Sequence, residues 1–321
     1  LATAADAGRL GHGWLLSGPR GVGKLNLAYV LADRLLAGAS GSSLPLAGPR
    51  SIVSAYNELA EPIDLHADLH RVRQEDDRHT IAIDQVRELI SSLALTPHVA
   101  QAKVVVMEDA ETMTPDAANA ILKSLEEPTR NTYLLLLAER PGRLPATVRS
   151  RCQHLRIQGP PLAAARQWLA ADGIESEGLS PALLQRSPIA AARIAIDSDN
   201  LSNYKELQTT LGLLLEGEID PHVLAGSWAG GDVDLALSCL IERLRLAIRA
   251  ALVPGHSNFV TDPSRGLSEN SATRSDVDSL FAVLQMAENL RDQLGRGLNV
   301  ELALKSILVG LVRGDARRLY S

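Results

Sequence analysis

Along the first half of the chain, short uninterrupted apolar runs alternate with stretches of helical spacing. Trp14–Ser17, Lys103–Met107, Tyr133–Leu137 and Gln153–Ile157 read as strands, and the runs at 103–107 and 133–137 suit strands buried on both faces. Leu25–Leu36 reads as a helix after the first strand. Ile83–Leu95, with apolar residues at 83, 86, 89, 90 and 93, keeps helical spacing and stops at Pro97. Thr114-Pro115-Asp116 is a helix start: a hydroxyl to cap, proline at the first helical position, and an acid that suits the dipole. That helix runs through Ile121, Leu122 and Leu125 and is halted by Pro128, while Gly38–Ser43 reads as a turn region. Alternation of this kind predicts a parallel sheet covered by helices on both faces, an α/β domain over residues 1–158.

From Gly159-Pro160-Pro161 onward the strand signal disappears. Residues 159–200 read as a small domain of short Ala-rich helices, and residues 201–321 as a domain of longer amphipathic ones. In the latter, Leu280, Val283, Leu284, Ala287, Leu290 and Leu294 keep one helical face, and Asn299 caps a last helix through Leu302, Ile307, Leu308 and Leu311. Pro254–Ser275 between them is polar and reads as a mobile loop.

Composition narrows the function classes. A hydrophobic content of 45% and a mean hydropathy of +0.01 fit an ordinary soluble protein. No run approaches the ~18–20 apolar residues of a membrane span, and the first residues lack a secretory layout, so a cytoplasmic location is expected. The cysteines, Cys152 and Cys239, are far apart and can build neither a disulfide framework nor a four-Cys zinc site. A net charge of −6 argues against tight, autonomous DNA binding.

The strand Trp14–Ser17 leads into Gly18-Pro-Arg-Gly21-Val-Gly23-Lys24-Leu25. Glycines at these positions and a lysine before a helix describe a phosphate-cradling P-loop, with a Gly-rich turn as the plainer alternative. A working P-loop ends in Ser or Thr, whose hydroxyl holds Mg²⁺; Leu25 has no oxygen to offer. Glu108 and Asp109, at the end of the strand 103–107, stand in the reverse of the usual Asp-Glu order for metal binding and water orientation. A solvated loop end would look the same. His66 and His70 are spaced i,i+4 for a helix, but without further ligands they are commonly packing or surface residues.

Lys103–Asp109, Ala120-Ile121-Leu122-Lys123-Ser124-Leu125-Glu126-Glu127-Pro128, and Leu144-Pro145-Ala146-Thr147-Val148-Arg149-Ser150-Arg151-Cys152 resemble the bacterial clamp-loader family of AAA+ proteins. Ile81–Leu89 and Leu298–Leu308 are also similar to it, and the resemblance covers essentially the whole chain. It implies a RecA-like AAA+ domain (1–158), a helical lid (159–200) and a helical collar (201–321) packed into a five-subunit ring. It further implies that Ser150-Arg151-Cys152 sits at a subunit boundary, with Arg151 reaching a neighbour's ATP as an arginine finger in trans; a surface ion pair is the plainer alternative. Cys152 reads as a small core residue, since no base partner is identifiable. Against the family pattern, Ala138 and Glu139 stand where a motor subunit carries a polar sensor, and Ile189 stands where its lid carries a sensor Arg. The altered parts agree on a subunit that does not hydrolyse ATP; the contrasting reading is an active ATPase of the same kind. No cofactor is expected, with weak ATP or ADP binding left open, and Ala37–Asp64 lacks the cysteines of the family's zinc module. The implied partners are the gamma/tau motor and delta subunits of the DNA polymerase III loader, with the sliding clamp and primed DNA reached through the assembled ring and no membrane.

Overall fold

The structure is a computed structural model that describes residues 10–36, 48–58, 66–75, 79–95, 100, 102–252, 274–295 and 297–313. It divides into two compact units: Leu1–Ser176 with Leu184–Arg193, and Glu177–Leu183 with Ile194–Ser321.

The first unit is built on a parallel sheet of β1 (Gly13–Ser17), β2 (Leu69–Val72), β3 (Lys103–Met107), β4 (Thr132–Ala138) and β5 (Gln153–Arg156), in the order β2-β3-β4-β1-β5. Its helices are α1 (Lys24–Leu36), α2 (Pro49–Glu58), α3 (Ile83–Leu93), α4 (Pro115–Glu126), the single turn α5 (Ala146–Arg149) and α6 (Leu162–Ala171). Successive strand residues point to opposite faces. Leu15, Val105, Met107, Leu134 and Leu136 face one core with Val86, Leu89, Ile121 and Leu125 of α3 and α4. Leu16, Val104, Val106, Leu135 and Leu137 face the other with Leu25, Ala28, Tyr29 and Leu31 of α1. Both faces being buried explains why β3 and β4 read as continuous apolar runs. This is the expected α/β architecture, a parallel sheet covered by helices on both faces and followed by further helices.

The start of α4 is as the sequence predicts. Thr114 Oγ1 accepts from the Ala117 N–H at 3.2 Å and Pro115 occupies the first position. Lys103, although buried, has a use for its charge: Nζ donates to the Leu95 carbonyl at 2.7 Å and to that of Leu93, capping the end of α3. Burial lowers its pKa, an effect opposed by Asp68.

One expectation is corrected. His66 and His70 do not lie on a helix; His70 is in β2, paired with Val105, and the Asp68 N–H donates to His66 Nδ1 at 3.0 Å. As an edge strand β2 is only partly buried, so its hydrophobic signal is weak and neither it nor α2 is evident from pattern. Gly38–Ser43, Pro97 and residues 254–273 of the expected loop lie outside the described residues.

Residues 184–193 bring the second half of the short helix α7 (Pro181–Arg186) and most of α8 (Pro188–Ile196) into the first unit. The second unit contains α9 (Ser198–Leu215), α10 (Pro221–Ala229), α11 (Val233–Leu252), α12 (Arg274–Asp292) and α13 (Val300–Arg313). There α10 packs on α13, α12 on both α11 and α13, and α9 on α11. Val283, Ala287 and Leu290 are buried as their spacing predicts. Asn299 Oδ1 caps α13 by accepting from the Leu302 N–H at 3.0 Å; the Leu302 side chain itself is exposed, and Leu304 fills the core instead. Among the described residues no helix is long and apolar enough to cross a membrane.

Candidate functional site: a P-loop and a surface arginine

The P-loop springs from the carboxyl end of β1, which lies between β4 and β5 in the sheet. The Gly18 N–H donates to the Ala138 carbonyl at 3.2 Å, and a Cβ on Gly18 would lie 2.5 Å from the Ile157 carbonyl oxygen, a contact that only glycine avoids. Gly21 and Gly23 have φ of +75° and +102°, left-handed values that the turn requires. The Gly23 carbonyl then accepts from Leu27 at 3.0 Å as α1 begins. The backbone is therefore that of a phosphate cradle.

Its side chains are differently engaged. Lys24 Nζ donates to the Gly18 carbonyl at 2.8 Å and the Pro19 carbonyl at 3.0 Å, folding the ammonium onto its own loop. Burial lowers its pKa; the carboxylates of Glu139, Asp109 and Glu111 oppose that shift. Leu25 is 5% exposed and lies in the core between α1, to which it belongs, and the sheet, presenting no oxygen at the metal position. Ile189, at the start of α8, donates its N–H to the Gly21 carbonyl at 3.0 Å, and its Cδ1 would lie 3.5 Å from a Cβ on Gly23. Beside it, Ser187 Oγ donates to the Arg20 carbonyl at 2.6 Å. The donor set thus does not fit Mg²⁺-nucleotide as a working P-loop would.

Glu108 and Asp109 part company at the end of β3. Glu108 accepts from Arg71 Nε of β2. Asp109 takes a left-handed backbone, φ +44°, and its carbonyl accepts from the Thr112 N–H and hydroxyl, each at 2.8 Å. Glu111, which sequence reasoning did not single out, accepts from the Glu139 and Arg140 N–H groups at 2.8 and 3.0 Å, fixing the chain just beyond β4. Among the described residues no group of three or more His, Cys, Asp or Glu is placed to hold a metal ion.

Ser150 caps α5, its hydroxyl donating to the Thr147 carbonyl at 3.1 Å. Arg151 follows with its side chain 33% exposed, paired with Glu126 at the end of α4. Cys152 is partly buried against the α3/α4 core, and burial pushes its thiol up to about 11, so it is a packing residue and not a nucleophile at neutral pH.

The resemblance noted on these motifs is decided by direct comparison. Residues 1–161 match the family model described as DNA polymerase III, delta subunit. The chain belongs to that family. Its relatives include the DNA polymerase III subunit delta' of Escherichia coli K12, 33% identical over 313 residues, 96% of this chain and 91% of that one. The delta' subunit of Pseudomonas aeruginosa is 38% identical over 223 residues, 68% of this chain, and the match spans only 65% of that relative's length. The Mycobacterium tuberculosis DNA polymerase III subunit gamma/tau is 30% identical over 279 residues, 82% of this chain and 45% of that protein. The delta family motifs quoted above all lie within the matched residues, apart from Leu298–Leu308.

Proposed function

We propose that this chain is a non-hydrolysing, delta'-type member of the DNA polymerase III clamp loader. It would bind a gamma/tau-type motor subunit and the delta subunit, donate Arg151 to the motor's ATP in trans, and help place the sliding clamp on primed DNA. The division into an AAA+ domain (1–158), lid (159–200) and collar (201–321), with the collar closing the ring, is part of the same reading, which includes no zinc and no resident nucleotide. The observation that carries it is the state of the chain's own P-loop: Lys24 bonded to loop carbonyls, Leu25 turned into the core and Ile189 lying on the glycines. A chain in this state offers no oxygen at the P-loop metal position and no phosphate-facing lysine, yet presents an arginine at the surface. A guanidinium set on γ-phosphoryl oxygens stabilises the charge developing there and can be worth roughly 10³–10⁵ in rate. Arg serves better than Lys because its fork meets two oxygens at once.

The test is DNA- and clamp-stimulated ATP turnover by a reconstituted loader carrying Arg151→Ala, with assembly confirmed by gel filtration. A large fall in rate with intact assembly is expected, and no turnover by the isolated chain. Turnover by the purified chain alone, or an unchanged rate in the variant loader, refutes the reading.

A further inference from the structure

Arg151 is not loose on the surface. Its Nε donates to Glu126 Oε1 at 2.6 Å, and Nη2 pairs with the same oxygen. Nη1 donates to the Thr147 carbonyl at 2.8 Å, with Ser150 Oγ at 3.4 Å. A guanidinium carries five N–H donors, so these contacts engage its Nε edge while leaving an Nη2 N–H over.

Among the described residues nothing else accounts for Glu126. It is the last residue of α4, where an acid opposes the helix dipole, and its side chain is 48% exposed, so it contributes little packing. The backbones that carry the two side chains are nonetheless fixed to one strand. Leu125, beside Glu126, is 1% exposed and its carbonyl is held by His12 Nε2 at 2.8 Å. A Cβ on Gly13 of β1 would lie 3.2 Å from Leu125 Cδ2 and 3.3 Å from the Arg151 carbonyl oxygen, so both segments pack tightly on the same residue. The ion pair is thus an exposed contact set on a rigid base.

We infer that Glu126 is a positioning residue for Arg151: it grips the Nε edge of the guanidinium and turns the remaining Nη2 N–H toward an anionic oxygen supplied by a neighbouring chain. The inference rests on the trans role of Arg151 proposed above. An ungripped arginine samples many rotamers and must be ordered each time it engages, which costs a factor of roughly two to ten per side chain. Glu126 removes that cost beforehand, because the contact is already made in the unassembled chain.

Four reconstituted loaders test this: Glu126→Ala, Glu126→Gln, Arg151→Ala and the Glu126→Ala/Arg151→Ala double variant, each checked for assembly. Glu126→Ala is expected to lower the loader's kcat roughly two- to tenfold, as ordering one long side chain predicts, at unchanged KM for ATP. Glu126→Gln, which keeps an acceptor oxygen, should lie between Ala and the parent. In the Arg151→Ala background the Glu126→Ala change should have no further effect, a coupling that a merely structural role would not produce. A Glu126→Ala loader as fast as the parent or faster, or a loss that persists without Arg151, overturns the positioning role. If Glu126→Ala is silent while Arg151→Ala is severe, only this inference fails; if Arg151→Ala is itself silent, the trans reading fails and takes it along.

Discussion

At the scale of single residues, position 25 decides what the P-loop can do, and it does so through packing as well as chemistry. Leu25 is part of the core under α1, so replacing it with threonine loses apolar contacts and places a hydroxyl among apolar side chains. Leu25→Thr should therefore cost about 2–3 kcal/mol of stability, seen as a lower Tm, and should leave ATP turnover at background. The other parts remain occupied: Lys24 by Gly18 and Pro19, Glu108 by Arg71, and Gly21 by Ile189. Measurable hydrolysis by that single variant would show that position 25 alone had silenced the site. P-loop glycines, Lys24 and Leu25 are legible in the sequence because their meaning is local, a turn between a strand and a helix. Glu111 and Glu126 are not legible in this way. Their partners Glu139 and Arg151 lie 28 and 25 residues away, and no periodicity marks a contact made through the fold.

At the scale of elements, burial decides how much of the fold can be read. β1, β3 and β4 are central strands sealed on both faces, so their apolar runs survive in the sequence; β2, at the edge, carries His70 and Arg71 and offers no such run. Helix ends are legible where a side chain closes them, as Thr114 does for α4 and Asn299 for α13. Thr114→Ala should cost about 1 kcal/mol in urea unfolding, the usual worth of such a cap. Because Glu126 lies at the opposite end of α4, the variant should keep full Arg151-dependent stimulation in the reconstituted loader. Loss of stimulation at that modest cost in stability would mean that fraying at one end of α4 reaches the other.

At the scale of the whole molecule, buried titratable groups divide unequally between the two units, and alkaline pH should expose the difference. Burial raises the pKa of Cys239 and of Tyr204 in the second unit, with the nearby Glu242 carboxylate adding to both shifts. As pH rises past 9 the unfolded thiol loses its proton first, and past 10 the unfolded phenol follows, while the folded groups keep theirs. The unfolded state then binds fewer protons, so the stability these groups contribute below pH 9 is lost progressively. The first unit holds both signs. Cys152, raised to about 11, acts in the same direction, but Lys24 and Lys103 are lowered from 10.5, so between their folded values and 10.5 the unfolded state binds more protons and stability rises. The two trends oppose each other there, whereas Cys239 and Tyr204 reinforce each other. Trp14 and Trp168 lie in the first unit and Trp228 in the second, which gives each unit its own fluorescence reporter. Urea unfolding at pH 8 and pH 10 of a Trp14→Phe/Trp168→Phe variant should show the Trp228 signal losing its midpoint at the higher pH by more than the corresponding loss in a Trp228→Phe variant. Cys239→Ala, in the first of these backgrounds, should shrink the shift. Equal shifts from both reporters would mean that the lysines of the first unit do not offset its thiol, and a shift indifferent to Cys239→Ala would remove that thiol from the account.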